Sequence, residues 1–584
     1  MRKGRRGEGA ALGASLVLAF LYGVVLYHTT GFLYAIADDV IMRDIASGAF
    51  TGTPDGHLIF VRYVLGFFLS RLYLLNQRID WYGFFMAGSL FLGLAAVLYR
   101  GLSAKRNLAW KAGYAGVALG LFGIGILPHA AQFEWTISAA FLGTAALYLY
   151  ITLGKEDRGQ LPDKILIWFL LFLTFCIRYD VFFMVMPGFG IVFLWRFAGR
   201  KKSEGRLYWK ELLLPLVVFA CVGAAALIEI AAYPGEQWEK FRRFQDSRSQ
   251  IYDYTGVPSY EANPDWFLER GLDEHEVRNL RHYALYLVED MGAEMMEALS
   301  EESQRQAETG RKEQLRAGLL LSLGELANPE YICVSLPSLL FFLGILFYAF
   351  REQRKGVLLP LLLFLGAEGI LWLFLGIAGR LPERVAFSQH LVMMLGMGAY
   401  FLLLWMEKED GTGSERPGKA KQVFVSAAAV LCLAGAVLQL HSMVLKNQEK
   451  LAVDDSYQQF KEVCKEEKEK LYFIETFAAE PVGGASVTTH GNPGLNRCLT
   501  LGDWYTSSPL DGERLEALGI ETVEKTILED PNTFLVVRDI EDPGFLGTYF
   551  SYKYPDMILV CQGMECIGDR NYYLYRPEKR EEAG

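Results

Sequence analysis

AALGASLVLAFLYGVVLY, Ala10 to Tyr27, carries no charge, and shortly beyond it the chain reads Ala37-Asp38-Asp39-Val40. At 1.5 Å per residue such a run approaches the thickness of a bilayer's hydrocarbon core, about 30 Å. The basic segment Met1-Arg2-Lys3-Gly4-Arg5-Arg6 precedes it. The run exceeds a signal-peptide core and lacks a small-residue cleavage site, so it reads as an uncleaved anchor with a cytoplasmic N-terminus. The acidic pair then falls at the outer mouth of the first helix.

Similar runs recur along the 584 residues, of which 52% are hydrophobic and 14% aromatic. The runs are continuous rather than alternating, which predicts a polytopic α-helical membrane protein instead of a barrel. The net charge is -10, with basic residues gathered in short loops and acids in two long polar segments. That pattern argues against nucleic acid as a partner and makes the lipid bilayer the first one.

Basic loops mark the cytoplasmic side: Arg100 to Lys111, Arg196 to Lys210, Arg351 to Lys355, and Lys408 to Lys421. Between them lie runs near residues 82–99, 112–128, 136–153, 211–233, 333–350, 356–378, 387–406 and 422–443. Leu58 to Leu75 carries Arg62 and Arg71. If it crossed, Arg100 to Lys111 would face outward, so it is expected to lie on or dip into the outer surface. Ile165 to Trp195 is interrupted by Arg178-Tyr179-Asp180. As one helix it would run roughly 45 Å and bury an ion pair mid-membrane, so a hairpin of two short spans is expected. The total is about eleven helices.

Residues 1–443 then form a transmembrane domain with an outer loop over 29–81 and an outer helical insertion over 234–330. Residues 444–584 are expected outside the cell membrane as an α/β domain. Their strand-like pieces are Leu471 to Ile474, Thr533 to Val537 and Met557 to Val560. Cys464, Cys498, Cys561 and Cys566 lie there, where disulfides are permitted, with pairing undetermined.

Several residues could carry chemistry. A carboxylate such as Asp39, or its neighbour Asp38, can take a proton from an attacking hydroxyl. Gly379-Arg380-Leu381-Pro382-Glu383-Arg384 offers two guanidinium forks that match phosphate oxygens. If that stretch is helical, Arg380 and Arg384 share one face and grip one phosphate together. Arg178 is a third candidate, and His129, Gln132 and Glu134 form a second polar cluster beside Trp135. Each has a plainer reading: a solvated helix exit, snorkelling arginines, an ion pair at a hairpin tip, a wetted interfacial turn. The aromatics from Trp238 to Tyr260 fit packing better than carbohydrate binding.

An acidic pair after the first helix, a second outer acidic site after the third, about eleven spans and an outer C-terminal domain together resemble the GT-C superfamily of integral-membrane glycosyltransferases. The resemblance implies transfer of a sugar from a polyprenyl-phosphate donor to an envelope glycan, lipid or protein acceptor on the outer face. It also implies an early Asp as base. A divalent metal is left open as cofactor. A polysaccharide polymerase is the nearest alternative, although a strongly basic loop is missing. A transporter or flippase of a lipid-linked saccharide predicts ionisable residues mid-membrane, for which only Glu229 and Glu368 stand in long apolar runs. A noncatalytic scaffold that binds a partner through its outer domain is a third possibility.

Overall fold

The computed structural model describes residues 2–153, 161–199, 205–307, 311–351, 355–410, 419–476, 486–487, 494–568 and 570–580. Among them ten helices are long and apolar enough to cross a membrane. They are Gly7–Thr30, Trp81–Leu102, Leu108–Ala131, Trp135–Thr152, Tyr179–Ala198, Pro215–Ala232, Pro329–Arg351, Leu358–Ile377, Glu383–Trp405 and Gln422–Lys450. The expected count of eleven included both arms of the 165–195 hairpin. One arm, Leu161–Ile177, has only 17 residues, a rise of about 26 Å. The hairpin itself is present. Arg178 separates Leu161–Ile177 from Tyr179–Gly199, and its backbone N–H still donates to Thr174 O at 2.8 Å.

Trp135–Thr152 is the axis of the bundle, and all 18 of its residues are buried. It packs against Trp81–Leu102, Leu161–Ile177, Tyr179–Gly199 and Glu383–Asp410. Small residues permit this crowding, as membrane helices require when no solvent drives them together. A Cβ on Gly143 would sit 2.9 Å from the Thr174 methyl, and one on Gly93 would sit 2.7 Å from the Phe141 ring. Elsewhere large apolar side chains stand exposed in rows, for example Leu216, Phe219, Leu227 and Ile230 on one helix and Leu362, Ile370 and Phe374 on another. Such continuous apolar surface belongs against lipid.

The two ends of the bundle differ chemically. At one end Arg100 donates to Thr152 O at 2.5 Å, Tyr99 to Asp163 at 2.6 Å and Arg196 to Tyr150 O. At the other end two short strands, β1 (Leu33–Tyr34) and β2 (Gln132–Phe133), pair in parallel, Leu33 beside Gln132. The short apolar helix Tyr63–Leu75 lies at this end too. Its first N–H donates to Glu229 at 2.7 Å, and Arg62 pairs with the same carboxylate at 3.6 Å.

The 48-residue helix Lys419–Glu466 leaves the bundle without a break and enters the C-terminal unit. The boundary expected at 443/444 therefore falls inside one continuous element. The three anticipated strands form there as β3 (Leu471–Ile474), β5 (Thr533–Arg538) and β6 (Met557–Ile567), joined by β4 (Cys498–Thr500) and β7 (Arg570–Lys579). The sheet order is β4-β3-β5-β7-β6, the first three parallel and the last two antiparallel to their neighbours. The 234–330 region is helical as expected and fuses with this unit. Ala284 and Leu287 share its core, and Tyr286 N–H donates to Leu501 O at 3.0 Å. Trp238, Phe241 and Phe244 are buried, as packing requires. One helix of the region, Arg311–Leu326, docks on Leu358–Ile377 through glycines: a Cβ on Gly318 would meet the Ile377 Cα at 2.5 Å.

Candidate functional site

The pairing of β1 with β2 decides where the acidic residues meet. It brings the start of the Ala37–Ser47 helix against Glu134, the residue preceding Trp135–Thr152. The two carboxylates of the pair then diverge, because successive helical residues point about 100° apart. Asp39 is fully buried. It accepts from Tyr82 Oη at 2.6 Å and from Trp135 N–H at 3.3 Å. Asp38 instead lines a cavity of about 320 Å³. Burial pushes its carboxyl upward, opposed by Arg384, Arg248 and Arg178 in turn. Burial likewise pushes Asp39 well above the ordinary carboxylate range, against the hydrogen bond from Tyr82.

A second cavity, of about 460 Å³, opens on the other side of the same chain segment. Its lining includes His129, Gln132, Glu134, Arg384 and Lys446. Arg384 Nε lies 3.7 Å from Glu134 Oε1, and neither atom makes a hydrogen bond with any described residue. This is a charge pair with unused hydrogen-bonding capacity, the arrangement a polar ligand could complete. Burial raises the Glu134 carboxyl, opposed first by Arg384. Arg178 is buried, stacked 4.0 Å over the Trp135 ring, 2.5 Å from Thr136 Oγ1 and 3.6 Å from Asp180. It thus supports the Glu134 segment from behind.

Asp38, Glu134, Arg178, Arg384 and His129 therefore gather at one end of the bundle, although they are scattered over some 350 residues of sequence. Arg380 stands apart. The helix begins at Glu383, and Gly379 has a positive φ of 69°, so Arg380 is not on a common helical face with Arg384. It turns to Tyr254 Oη and, at 3.7 Å, to Asp253. The shared helical face expected to support a joint grip of the two arginines on one phosphate does not form.

Lys446 lines the same cavity as Arg384. Nothing in the local sequence marks it, since it follows an apolar run in a helix with many lysines. Arg248, Lys461 and Arg514, which line the smaller cavity, were equally invisible. His57 is held by Asp55 at 2.6 Å and Ala232 O at 2.8 Å and stacks on Trp238, a packing role. Among the described residues no three His, Cys, Asp or Glu side chains come together as metal ligands. No protein-family model matches the chain, and no curated protein or solved structure is significantly similar to it.

Proposed function

We propose that the protein is a membrane glycosyltransferase that moves a sugar from a polyprenyl-phosphate donor to an acceptor on the outer face of the cell membrane. The observation that carries this reading is the pair of cavities flanking Ile36 to Asp38, one lined by Arg384 and Lys446, the other by Asp38. In this reading the larger cavity holds the donor. Arg384 and Lys446 take up the negative charge that grows on the lipid phosphate as its bond to the anomeric carbon breaks. Asp38 removes the proton from the acceptor hydroxyl as the new carbon–oxygen bond forms. Asp39 positions Asp38 by tying the start of its helix to Tyr82 and Trp135.

The test is transfer of radiolabelled sugar from polyprenyl-phosphate lipid in vesicles containing the purified chain. Asp38→Asn is expected to lower the rate at least about a hundredfold with the protein still folded. Unchanged transfer in Asp38→Asn and in Arg384→Ala would remove the reading. The transporter alternative keeps one observation: Glu368, buried inside Leu358–Ile377, hydrogen-bonds through neither oxygen to any described residue. It predicts that Glu368→Gln stops lipid-linked saccharide movement across vesicles. Glu229, by contrast, is occupied by Arg62 and the Tyr63 N–H.

A further inference from the structure

The smaller cavity is walled by three parts of the chain: the Ala37–Ser47 helix, the Tyr252 and Tyr283 region, and the C-terminal unit with Lys461, Cys498, Tyr505 and Arg514. Its charges are unevenly satisfied. Asp44 is bound by Arg43 at 2.7 Å and accepts from Asn496 at 3.2 Å. Asp503 receives the Trp504 N–H at 2.7 Å. Arg248 donates to Tyr283 Oη at 2.7 Å and to Gln245 at 2.8 Å.

Lys461 is different. It is only 8% exposed, lines the cavity, and makes no hydrogen bond or ion pair with any described residue; the Tyr457 ring lies 5.2 Å from its ammonium, and Asp44 acts on it through space. Its nearest acid, Asp44, is already committed to Arg43. Arg514, 4% exposed, lies over the Phe50 ring at 4.6 Å and the Tyr505 ring at 5.5 Å, and its Nε has no hydrogen-bond partner among the described residues. The neighbouring Asp511 is taken by Tyr286 Oη and the Ser507 N–H. Burying a cation without a directly bonded anion is unfavourable: Asp44 and Asp511 offset the two charges only through space, and among the described residues no carboxylate bonds to Lys461 or Arg514. A ligand that brings an anion relieves it.

We propose that this cavity is the acceptor site and that it selects a saccharide carrying a negative charge, a carboxylate or a phosphate, seated against Lys461 and Arg514. The inference rests on the glycosyltransferase reading for the word acceptor, but not for the anion. The tyrosine rings of the walls supply the apolar faces on which pyranose rings stack, and Asp38 stands in the same cavity to meet the reacting hydroxyl.

Binding to the purified full-length chain in detergent tests it without any transfer reaction, using methyl glucuronide, glucose 6-phosphate and uncharged methyl glucoside as probes. At least one charged probe should bind about tenfold or more tighter than the glucoside, as a charge-assisted contact requires. Lys461→Met, close in size and apolar, should erase that preference, and Lys461→Arg should keep it. Preference for glucuronide alone assigns a carboxylate, preference for the sugar phosphate alone a phosphate. Equal binding of all three, binding of none, or a preference that survives Lys461→Met overturns the proposal. Lysine-dependent anion binding in a chain with no sugar transfer leaves the anion site standing and removes the transferase reading. Transfer without anion preference does the reverse.

Discussion

Asp38 and Asp39 are adjacent in sequence and opposite in circumstance, and each invites its own measurement. Burial raises the Asp38 carboxyl; as the proposed base it is ionised only above that raised value, so the rate should fall as pH drops through it. Arg248 opposes the shift. Arg248→Gln should therefore move the acidic limb of the pH–rate profile to higher pH, and a limb that stays in place would show that another group titrates. For Asp39 the expected effect is on stability. Tyr82→Phe removes the 2.6 Å hydrogen bond and leaves a buried oxygen unpaired, a loss of about 1–3 kcal/mol that thermal unfolding in detergent would register. Asp44 is held down to about 2 by Arg43 and Lys461 despite burial. Its folded value lies below the unfolded one, so the stability it contributes is present at neutral pH and is lost as pH falls toward 2. The acidic pair was legible in the sequence. Which member faces a cavity was not, because that depends on Tyr82 and Trp135, residues 43 and 96 positions away.

Among elements, the Glu383–Asp410 helix shows how a boundary decides a function. Its start at Glu383 puts Arg384 in the first turn, facing Glu134, and leaves Arg380 in the preceding loop. Affinity for polyprenyl-phosphate lipid should drop in Arg384→Ala and drop less in Arg384→Lys, which keeps the charge but loses the fork. Arg380→Ala should leave it nearly unchanged. If Arg380→Ala is the more damaging of the two, the phosphate lies toward Tyr254 and the larger cavity is not the donor site. The helical runs and the hairpin at Arg178 could be read from hydropathy and charge because lipid imposes those patterns locally. β4 and the pairing of β1 with β2 could not, since three-residue and two-residue strands carry no period and exist only through their partners.

For the whole molecule, the apolar composition announced a membrane protein, whereas the side on which each end lies follows from the positive-inside pattern alone. Native Cys561 and Cys566 are exposed in the C-terminal unit. A membrane-impermeant maleimide should label them in right-side-out vesicles and leave Ser103→Cys unlabelled; the converse would invert the topology. The unbroken Lys419–Glu466 helix also fixes a length. Met443, Asn447, Lys450, Tyr457, Lys461 and Cys464 recur at spacings of three, four and seven, so they form one stripe. That stripe carries Lys446 beside it at one cavity and Lys461 at the other. Fifteen residues of helix separate the two ammonium-bearing positions by about 22 Å, a span set by the helix itself rather than by how two bodies happen to dock. If the proposed donor and acceptor sites hold, the helix is a caliper: with the donor phosphate at one jaw and the acceptor's anion at the other, only acceptors whose charged group lies a set reach from the reacting hydroxyl close the gap. In a series of anionic oligosaccharides of increasing length the rate should peak sharply at one size, whereas a plateau beyond a minimum length would mean that the jaws measure nothing.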